Sequence, residues 1–113
     1  FPNFFMLYGP NTNIVVNGST TWFAECEVMY VMGCLRLLLE GKHIAIDTKL
    51  DVHDAYNEHV DAGNLAMAWG VAEVPSWYRN EFGRSAQNWP FTMLEYWQQT
   101  REPDPADHEF IEV

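Results

Sequence analysis

The residues best suited to bind a metal ion lie close together in one segment of the chain. These residues are His53, Asp54, Glu58, His59 and Asp61, whose imidazole and carboxylate groups are common metal ligands. The segment has a helical pattern, in which two histidines six residues apart point to opposite sides. We therefore expect no metal site. We interpret His59, on the apolar side of this helix, as a half-buried packing residue.

Side chains for catalysis do not form a recognisable motif. No Ser or Cys lies in a nucleophile elbow, no glycine-rich phosphate loop is present, and the carboxylates show no paired arrangement. Cys26 and Cys34 are eight residues apart in a helical pattern, which separates them by about 12 Å, beyond disulfide reach. We expect buried free thiols in a reducing compartment, the cytoplasm. The sequence thus predicts no catalytic residue.

The best candidate binding site is a short polar loop, formed by Gly9, Pro10, Asn11, Thr12 and Asn13. Open α/β sheets bind ligands at such a loop, where a strand ends and a helix N-terminus offers free N–H groups and a positive dipole end. The Asn and Thr side chains add donors that suit a neutral or partly anionic carbonyl. An equally weighted alternative is a turn whose side chains satisfy their own backbone.

A strand and a helix are predicted on either side of this loop. Residues Phe4–Tyr8 are apolar at every position, which is typical of a strand covered on both faces of a sheet. The N-cap candidates in Asn17–Thr21 predict a helix that begins near Ser19 and ends at Gly41, its C′ residue. Apolar residues cover most of this helix, so we expect it to be buried on more than one side.

The remaining elements are shorter or amphipathic. The pattern predicts an apolar segment at 44–46, a helix from about Asp51 that Gly63 weakens or breaks, a β-hairpin over 75–88, a helix after a capping box at Thr92–Glu95, and a turn from Asp104. One strand, a loop and a helix buried on several sides make up a piece of an α/β domain rather than a whole one. The sheet partners of the strand are missing from the sequence.

Length and charge exclude several classes of protein. The chain has 113 residues, enough for one small domain, and a net charge of −10, which repels nucleic acid. Hydrophobic residues make up 48% of it, too many for a disordered chain. Charged residues interrupt its most apolar run, so no membrane span is expected, and its first residues do not resemble a signal peptide. Residues 102–113 hold five acids and no base, and we interpret them as a solvated acidic end.

Several motifs in this order resemble one enzyme family. FPNFFMLYGPNTN, a helix rich in Glu and Leu after NGSTT, PSWYRNEFGRSAQNWP, EYW and DPADHEF resemble the C-terminal segment of the flavin-dependent Baeyer–Villiger monooxygenases, especially the branch similar to hydroxyacetophenone monooxygenase. The resemblance covers nearly the whole chain. It implies a parent enzyme that binds FAD and NADPH and converts ketones to esters or lactones.

The resemblance also implies a position for each segment. Residues 1–41 would be the last strand, loop and helix of a Rossmann-like FAD domain, 42–101 a lid-like extension with an amphipathic helix, a β-hairpin and a short C-terminal helix, and 102–113 an acidic tail. Gly9, Pro10, Asn11, Thr12 and Asn13 would run beside the isoalloxazine ring, with the helix N-terminus pointing at its pyrimidine end. Trp77 matches a tryptophan of a mobile segment that folds over NADP. The alternative for Trp77 is packing of the hairpin onto the core.

The sequence departs from the family pattern in ways that limit what this chain does alone. The glycine-rich FAD and NADP fingerprints, the family's His-containing signature and its active-site arginine are not present, and Ile14-Val15-Val16 replaces smaller residues after the loop. The chain is therefore expected to be inactive alone and to self-associate through its uncovered strand and helix. The alternative function is a stand-alone acidic interaction or oligomerisation module.

Overall fold

The computed structural model describes residues 1–16, 18–71, 73 and 75–112. The α-helices are α1 (Thr20–Gly41), α2 (Leu50–Leu65), the single turn α3 (Ala68–Val71) and α4 (Met93–Thr100). The strands are β1 (Ala45–Thr48) and β2 (His108–Ile111), which follows a 3-10 turn at Pro105–Asp107. The prediction of an α/β chain is therefore confirmed, whereas the described residues contain no parallel Rossmann-like sheet.

The predicted strand Phe4–Tyr8 is wrong. Residues 4–6 have no regular structure, Leu7 and Tyr8 form a turn with φ +53° at Tyr8, and all five except Phe5 are exposed. A strand needs a neighbouring strand to bond its backbone. The free edge of β1 is instead bonded by one residue, Asn3. Asn3 donates its backbone N–H to Ile46 O at 2.9 Å, and its side chain accepts from Ile46 N at 3.0 Å. The first residues therefore cap β1 without extending its sheet.

Helix α1 has the start that the sequence predicts and a different end. Ser19 is the N-cap and accepts a bond from Trp22 N; Asn17, another N-cap candidate, lies outside the described residues. At the other end Gly41 is still helical and Lys42 adopts the left-handed conformation, with φ +56°. A side chain at position 41 would collide with the His43 ring, because a Cβ there would lie 2.3 Å from the imidazole.

Only one side of α1 is buried, against the expectation of burial on several sides. The buried side consists of Phe23, Cys26, Glu27, Cys34 and Leu38. The outer face of α1, which we define as Val28, Met29, Met32, Leu35 and Leu39, is exposed. At one edge of this outer face, Met29 lines a cleft together with Trp97 and Thr100 of α4.

Helix α2 passes through Gly63 without the predicted break and ends at Leu65. Packing explains this glycine: a Cβ at residue 63 would lie 2.5 Å from Cζ of Phe91 and 2.8 Å from Cγ of Pro90. Phe91 also stacks on His59, with ring centroids 4.4 Å apart. His59 is thus a packing residue, as predicted, with Phe91 as its partner, but its side chain is exposed rather than half-buried.

The predicted β-hairpin over 75–88 is reduced to a turn closed by one antiparallel bridge, between Arg79 and Ser85. Asn80 N donates to Arg84 O at 2.9 Å, and no extended pairing follows. The second half of the predicted hairpin is not free to continue the ladder. Its backbone bonds to residues 11 and 13 at the start of the chain instead.

The C-terminal residues are part of the fold rather than a freely solvated end. Thr92 and Glu95 form the predicted capping box of α4, and Asp104 caps the predicted 3-10 turn. Strand β2 then pairs antiparallel with β1, with Ile46 opposite Phe110. The acidic side chains of Glu109 and Glu112 do remain exposed, as expected.

Two apolar clusters form the core. The larger contains Phe23, Cys26, Val60, Trp89 and Tyr96, from α1, α2, α4 and the segment before α4. The smaller contains Cys34, Leu38 and Ile46, where α1 packs on the sheet. Both cysteines are buried free thiols, as predicted. Among the described residues no helix is long and apolar enough to cross a membrane.

Candidate functional site

The loop Gly9–Asn13 is held along the segment 85–89 by a series of backbone hydrogen bonds. Asn11 N donates to Ala86 O at 3.2 Å, Asn13 N donates to Gln87 O at 2.9 Å, and Trp89 N donates to Asn13 O at 2.9 Å. Asn13 and Asn88 form a parallel bridge. Because Trp89 is itself fully buried in the larger cluster, the loop is fixed to the core through this segment.

Asn11 is the residue that locks the loop conformation. It is buried and left-handed, with φ +59°, a conformation that Asn tolerates better than most residues. Its side-chain amide donates to Ser85 O at 2.8 Å and to Asn88 O at 3.1 Å. Asn13 similarly donates its side-chain amide to Asn88 Oδ1 at 2.8 Å.

The side-chain donors of the loop are therefore already used within the protein. Thr12 Oγ1 donates to Gly9 O at 2.7 Å, which is the self-satisfied turn that the sequence left open as an alternative. Asn11 and Asn13 bond to a distant segment instead, a pairing that local sequence does not indicate. A ligand at this loop would meet backbone groups, pre-organised by these side chains, rather than free amides.

The N-terminus of α1 lies a few residues after the loop. Its first two residues, Thr20 and Thr21, are exposed, and its first turn contains no acidic side chain, so no carboxylate of that turn neutralises the positive end of the helix dipole. Such an end stabilises negative charge on a nearby group.

A buried carboxylate, Glu27, connects the start of the loop to α4. Glu27 Oε2 accepts from Tyr8 N at 2.8 Å, and Oε1 accepts from Tyr96 Oη at 2.8 Å. Burial, and the bond to this carboxylate, raise the pKa of the Tyr96 hydroxyl well above its usual range. In the sequence, Glu27 is a charged residue within an apolar run. That position was the available indication that its carboxylate is buried.

Trp77 lies on the surface, in the turn that follows Pro75. Its side chain is 71% exposed, and its ring packs on the neighbouring Tyr78 with centroids 4.5 Å apart. The alternative that Trp77 packs the hairpin onto the core is therefore wrong. The carbonyl of Trp77 accepts a bond from Gln87 Nε2 at 3.2 Å, and the carbonyl of Gln87 accepts from Asn13 N. The Trp77 segment and the loop are thus both bonded to Gln87.

Two arginines attach the segment around Trp77 to the helices. Arg84 Nε lies 2.9 Å from both carboxylate oxygens of Asp61 on α2, and its Nη2 donates to Asn57. Arg79 donates to the carbonyls of Trp69 and Gly70. These contacts anchor the chain on the C-terminal side of Trp77 and leave the Trp77 ring exposed.

An apolar cavity of about 500 Å³ begins where the loop ends. Its walls include Ile14, Val15 and Val16 from the segment after the loop, and Trp89, Phe91 and Met93 from the opposite side. Metal ligands, by contrast, do not converge: among the described residues no group of three or more His, Cys, Asp or Glu side chains is arranged to hold a metal ion.

Comparison with known proteins gives matches to monooxygenases. The chain is 33% identical over 108 residues to an uncharacterized monooxygenase, y4iD, of Sinorhizobium fredii. It is 31% identical over 107 residues to a Baeyer–Villiger monooxygenase of Pseudomonas aeruginosa, and 31% identical over 110 residues to the FAD-binding monooxygenase ktnD of Aspergillus niger.

These matches cover 94–96% of this chain but only 16–20% of each of the three relatives. They confirm the resemblance to Baeyer–Villiger monooxygenases and are consistent with a C-terminal segment of such an enzyme. No family model matches the chain. No solved structure matches it either.

Proposed function

We propose that this chain, a homologue of one segment of Baeyer–Villiger monooxygenases, is the C-terminal part of an FAD- and NADPH-dependent enzyme that inserts oxygen into ketones. The residues present would supply a flavin-side loop and a cofactor lid, not the catalytic core. The observation that carries this proposal is the loop Gly9–Asn13, which is fixed to the core by its bonds to 85–89. Nearly the whole chain around this loop is similar in sequence to monooxygenases.

The residues around the loop fit the pyrimidine end of a flavin. That end gathers negative charge when the ring is reduced, and the start of α1 offers N–H groups with no carboxylate in the first turn. The loop backbone of Gly9, Pro10, Asn11, Thr12 and Asn13 would lie along the ring, held in place by Asn11. When bound, the flavin supplies the activation of oxygen; these residues position it.

Trp77 is suited to a lid over NADPH because its ring is exposed and the chain after it is anchored by Arg79 and Arg84. Aromatic side chains stack on planar heterocycles, and the ring is 71% exposed. Since Gln87 contacts both the Trp77 carbonyl and the loop backbone, a movement of the Trp77 segment would be transmitted to the flavin side.

The apolar cavity beyond the loop supports a ketone as substrate. Most of its lining is aliphatic or aromatic, from 14–16, 67–69 and 89–93, and its one acid, Glu95, is bonded to Thr92 in the capping box. Such a lining suits a neutral, largely apolar molecule. The remainder of the substrate pocket would come from other parts of the parent protein.

The proposal is tested on the full-length protein. We expect the purified protein to carry FAD, seen in its absorption spectrum, and to oxidise NADPH with matching formation of an ester or lactone when a panel of ketones is supplied. A full-length polypeptide without a glycine-rich βαβ unit, or one that binds no flavin, would instead favour the stand-alone interaction module.

A further inference from the structure

A second cavity, of about 560 Å³, lies on another part of the molecule from the loop Gly9–Asn13. Three tyrosines line it, each from a different helix: Tyr30 from α1, Tyr56 from α2 and Tyr96 from α4. This volume is in the range of pockets for a single small molecule.

The charge around this cavity has one sign. Glu102, Asp104 and Asp107 line it, and no Lys or Arg does. The neighbouring base, Lys49, donates its ammonium group to Ala106 O at 2.6 Å and is not part of the lining. His53 also lines the cavity, but its Nδ1 lies 2.9 Å from Asp54. The cavity therefore has a negative potential that attracts cations and repels anions.

Two of the tyrosine rings are held in place by bonds at their hydroxyl groups. Tyr30 Oη lies 3.1 Å from Nε2 of His108, and Tyr96 Oη donates to Glu27 at 2.8 Å. Glu27 is thus a further buried carboxylate at the Tyr96 hydroxyl, while Phe23 stacks on the Tyr96 ring with centroids 4.2 Å apart. Tyr56, in contrast, is 42% exposed.

We propose that this cavity binds an organic cation, an alkylammonium group carried on a small aliphatic molecule. The faces of aromatic rings attract such cations, and the three carboxylates at 102–107 add charge without converging as metal ligands. The aliphatic part of the ligand would contact Val52 and the ring edges. This site is separate from the proposed flavin and ketone sites, so its failure leaves the proposed function unaffected.

The experiment compares choline with 3,3-dimethylbutan-1-ol, its uncharged isostere, by calorimetric titration of the full-length protein. We expect choline to bind about tenfold more tightly than the alcohol, because only choline gains from the rings and carboxylates. Equal affinities would mean an apolar hole without cation selectivity and would overturn the proposal. Absence of binding by both would do the same.

Variants assign the binding to this cavity. Tyr56→Leu is expected to weaken choline binding about tenfold, whereas Tyr56→Phe, which keeps the ring, retains it. Asp107→Asn is expected to weaken binding about threefold, while the matched control Glu109→Gln, an exposed acid on β2 outside the lining, has no effect. Equal losses in Asp107→Asn and Glu109→Gln would assign the effect to net charge and refute the site. Circular dichroism melts of each variant verify that it is folded.

Discussion

At the scale of single residues, Glu27 carries more of the structure than its position in an apolar run indicates. It is buried, it bonds Tyr8 and Tyr96, and among the described residues no basic side chain forms an ion pair with it. A buried carboxylate without a cation is costly unless its oxygens accept hydrogen bonds. The two bonds at 2.8 Å supply this compensation.

Glu27→Ala is expected to lower the free energy of unfolding by about 2–3 kcal/mol, because the buried Tyr96 hydroxyl loses its partner. Glu27→Gln is expected to cost less than about 1 kcal/mol, since its amide can accept from Tyr8 N and donate to Tyr96 Oη. Urea denaturation followed by Trp fluorescence measures both. The exposed neighbour Glu25 provides the control, Glu25→Ala. A Gln variant as unstable as the Ala variant would show that the charge itself is needed.

Trp77 is the residue whose proposed role is functional rather than structural. Because its side chain is 71% exposed, Trp77→Ala is expected to change stability by less than about 0.5 kcal/mol. In the full-length enzyme it should raise the KM for NADPH and uncouple NADPH oxidation from product formation, with FAD content unchanged.

Phe82→Ala is the matched control for Trp77, since Phe82 is 85% exposed in the same segment. Steady-state kinetics and product yield separate the two variants. Unaltered kinetics in Trp77→Ala would show that Trp77 does not act as a lid over NADPH.

At the scale of elements, Gly63 on α2 sets helix propensity against packing. Replacing a mid-helix Gly by Ala adds about 1 kcal/mol of helix stability. Here the new Cβ would lie 2.5 Å from Phe91 and 2.8 Å from Pro90, and overpacking of this kind costs about 1–3 kcal/mol. We therefore expect Gly63→Ala to be net destabilising in thermal unfolding. Ala62→Gly, exposed on the same helix, reports propensity alone; a stabilised Gly63→Ala would show that Phe91 moves freely.

The capping box of α4 makes this element sensitive to acid. Bonds from the Thr92 backbone and side chain lower the pKa of Glu95 below its ordinary value of 4.5. Since the pKa is lower in the folded than in the unfolded state, the stabilisation is fully present above pH 4.5 and is lost as the pH falls through the lowered pKa. Glu95→Gln should remove this pH dependence, measured as the difference between the two proteins in urea midpoints at pH 6 and at about pH 3.

The elements that were predictable are those whose determinants lie within a few residues. The caps at Ser19, Thr92 and Asp104 depend on bonds two to three residues away, so the sequence pattern contains them. The strand at Phe4–Tyr8 depends on a partner strand, and apolar composition alone does not supply one. The hairpin at 75–88 failed because its second half pairs with Asn11 and Asn13, which no local pattern indicates. For the same reason the loop was identified but its bonding was not.

At the scale of the whole molecule, the uncovered apolar surface predicts self-association of the isolated chain. The outer face of α1 is exposed, with Leu39 at 80% and Met29 at 61%, and each large apolar side chain gains about 1.5–3 kcal/mol when fully buried. The net charge of −10 opposes association. Half of that charge lies in residues 102–113, outside α1, and so is not part of the apolar face that would be buried.

Sedimentation equilibrium of the 113-residue chain at tens of micromolar is expected to show dimers or larger species. A double variant, Met29→Glu with Met32→Glu, should shift the chain toward monomer because it places charge on the outer face of α1. Leu94→Glu, which alters an exposed apolar residue on α4, is the control. A monomer of 13.1 kDa without any substitution would contradict the prediction.

The pairing of residues 11–13 with 85–89 also fixes an order in time. Asn11 bonds Asn88, 77 positions later in the chain. During synthesis the loop therefore cannot form these bonds until residues 85–89 have left the ribosome. At about 5–20 residues per second this delay is about 4–15 s, during which Asn11 has no partner for its left-handed conformation. A nascent chain cut short before residue 88 would contain all five loop residues and still lack the loop. Any cofactor that this loop positions must therefore be seated after Asn88 has left the ribosome.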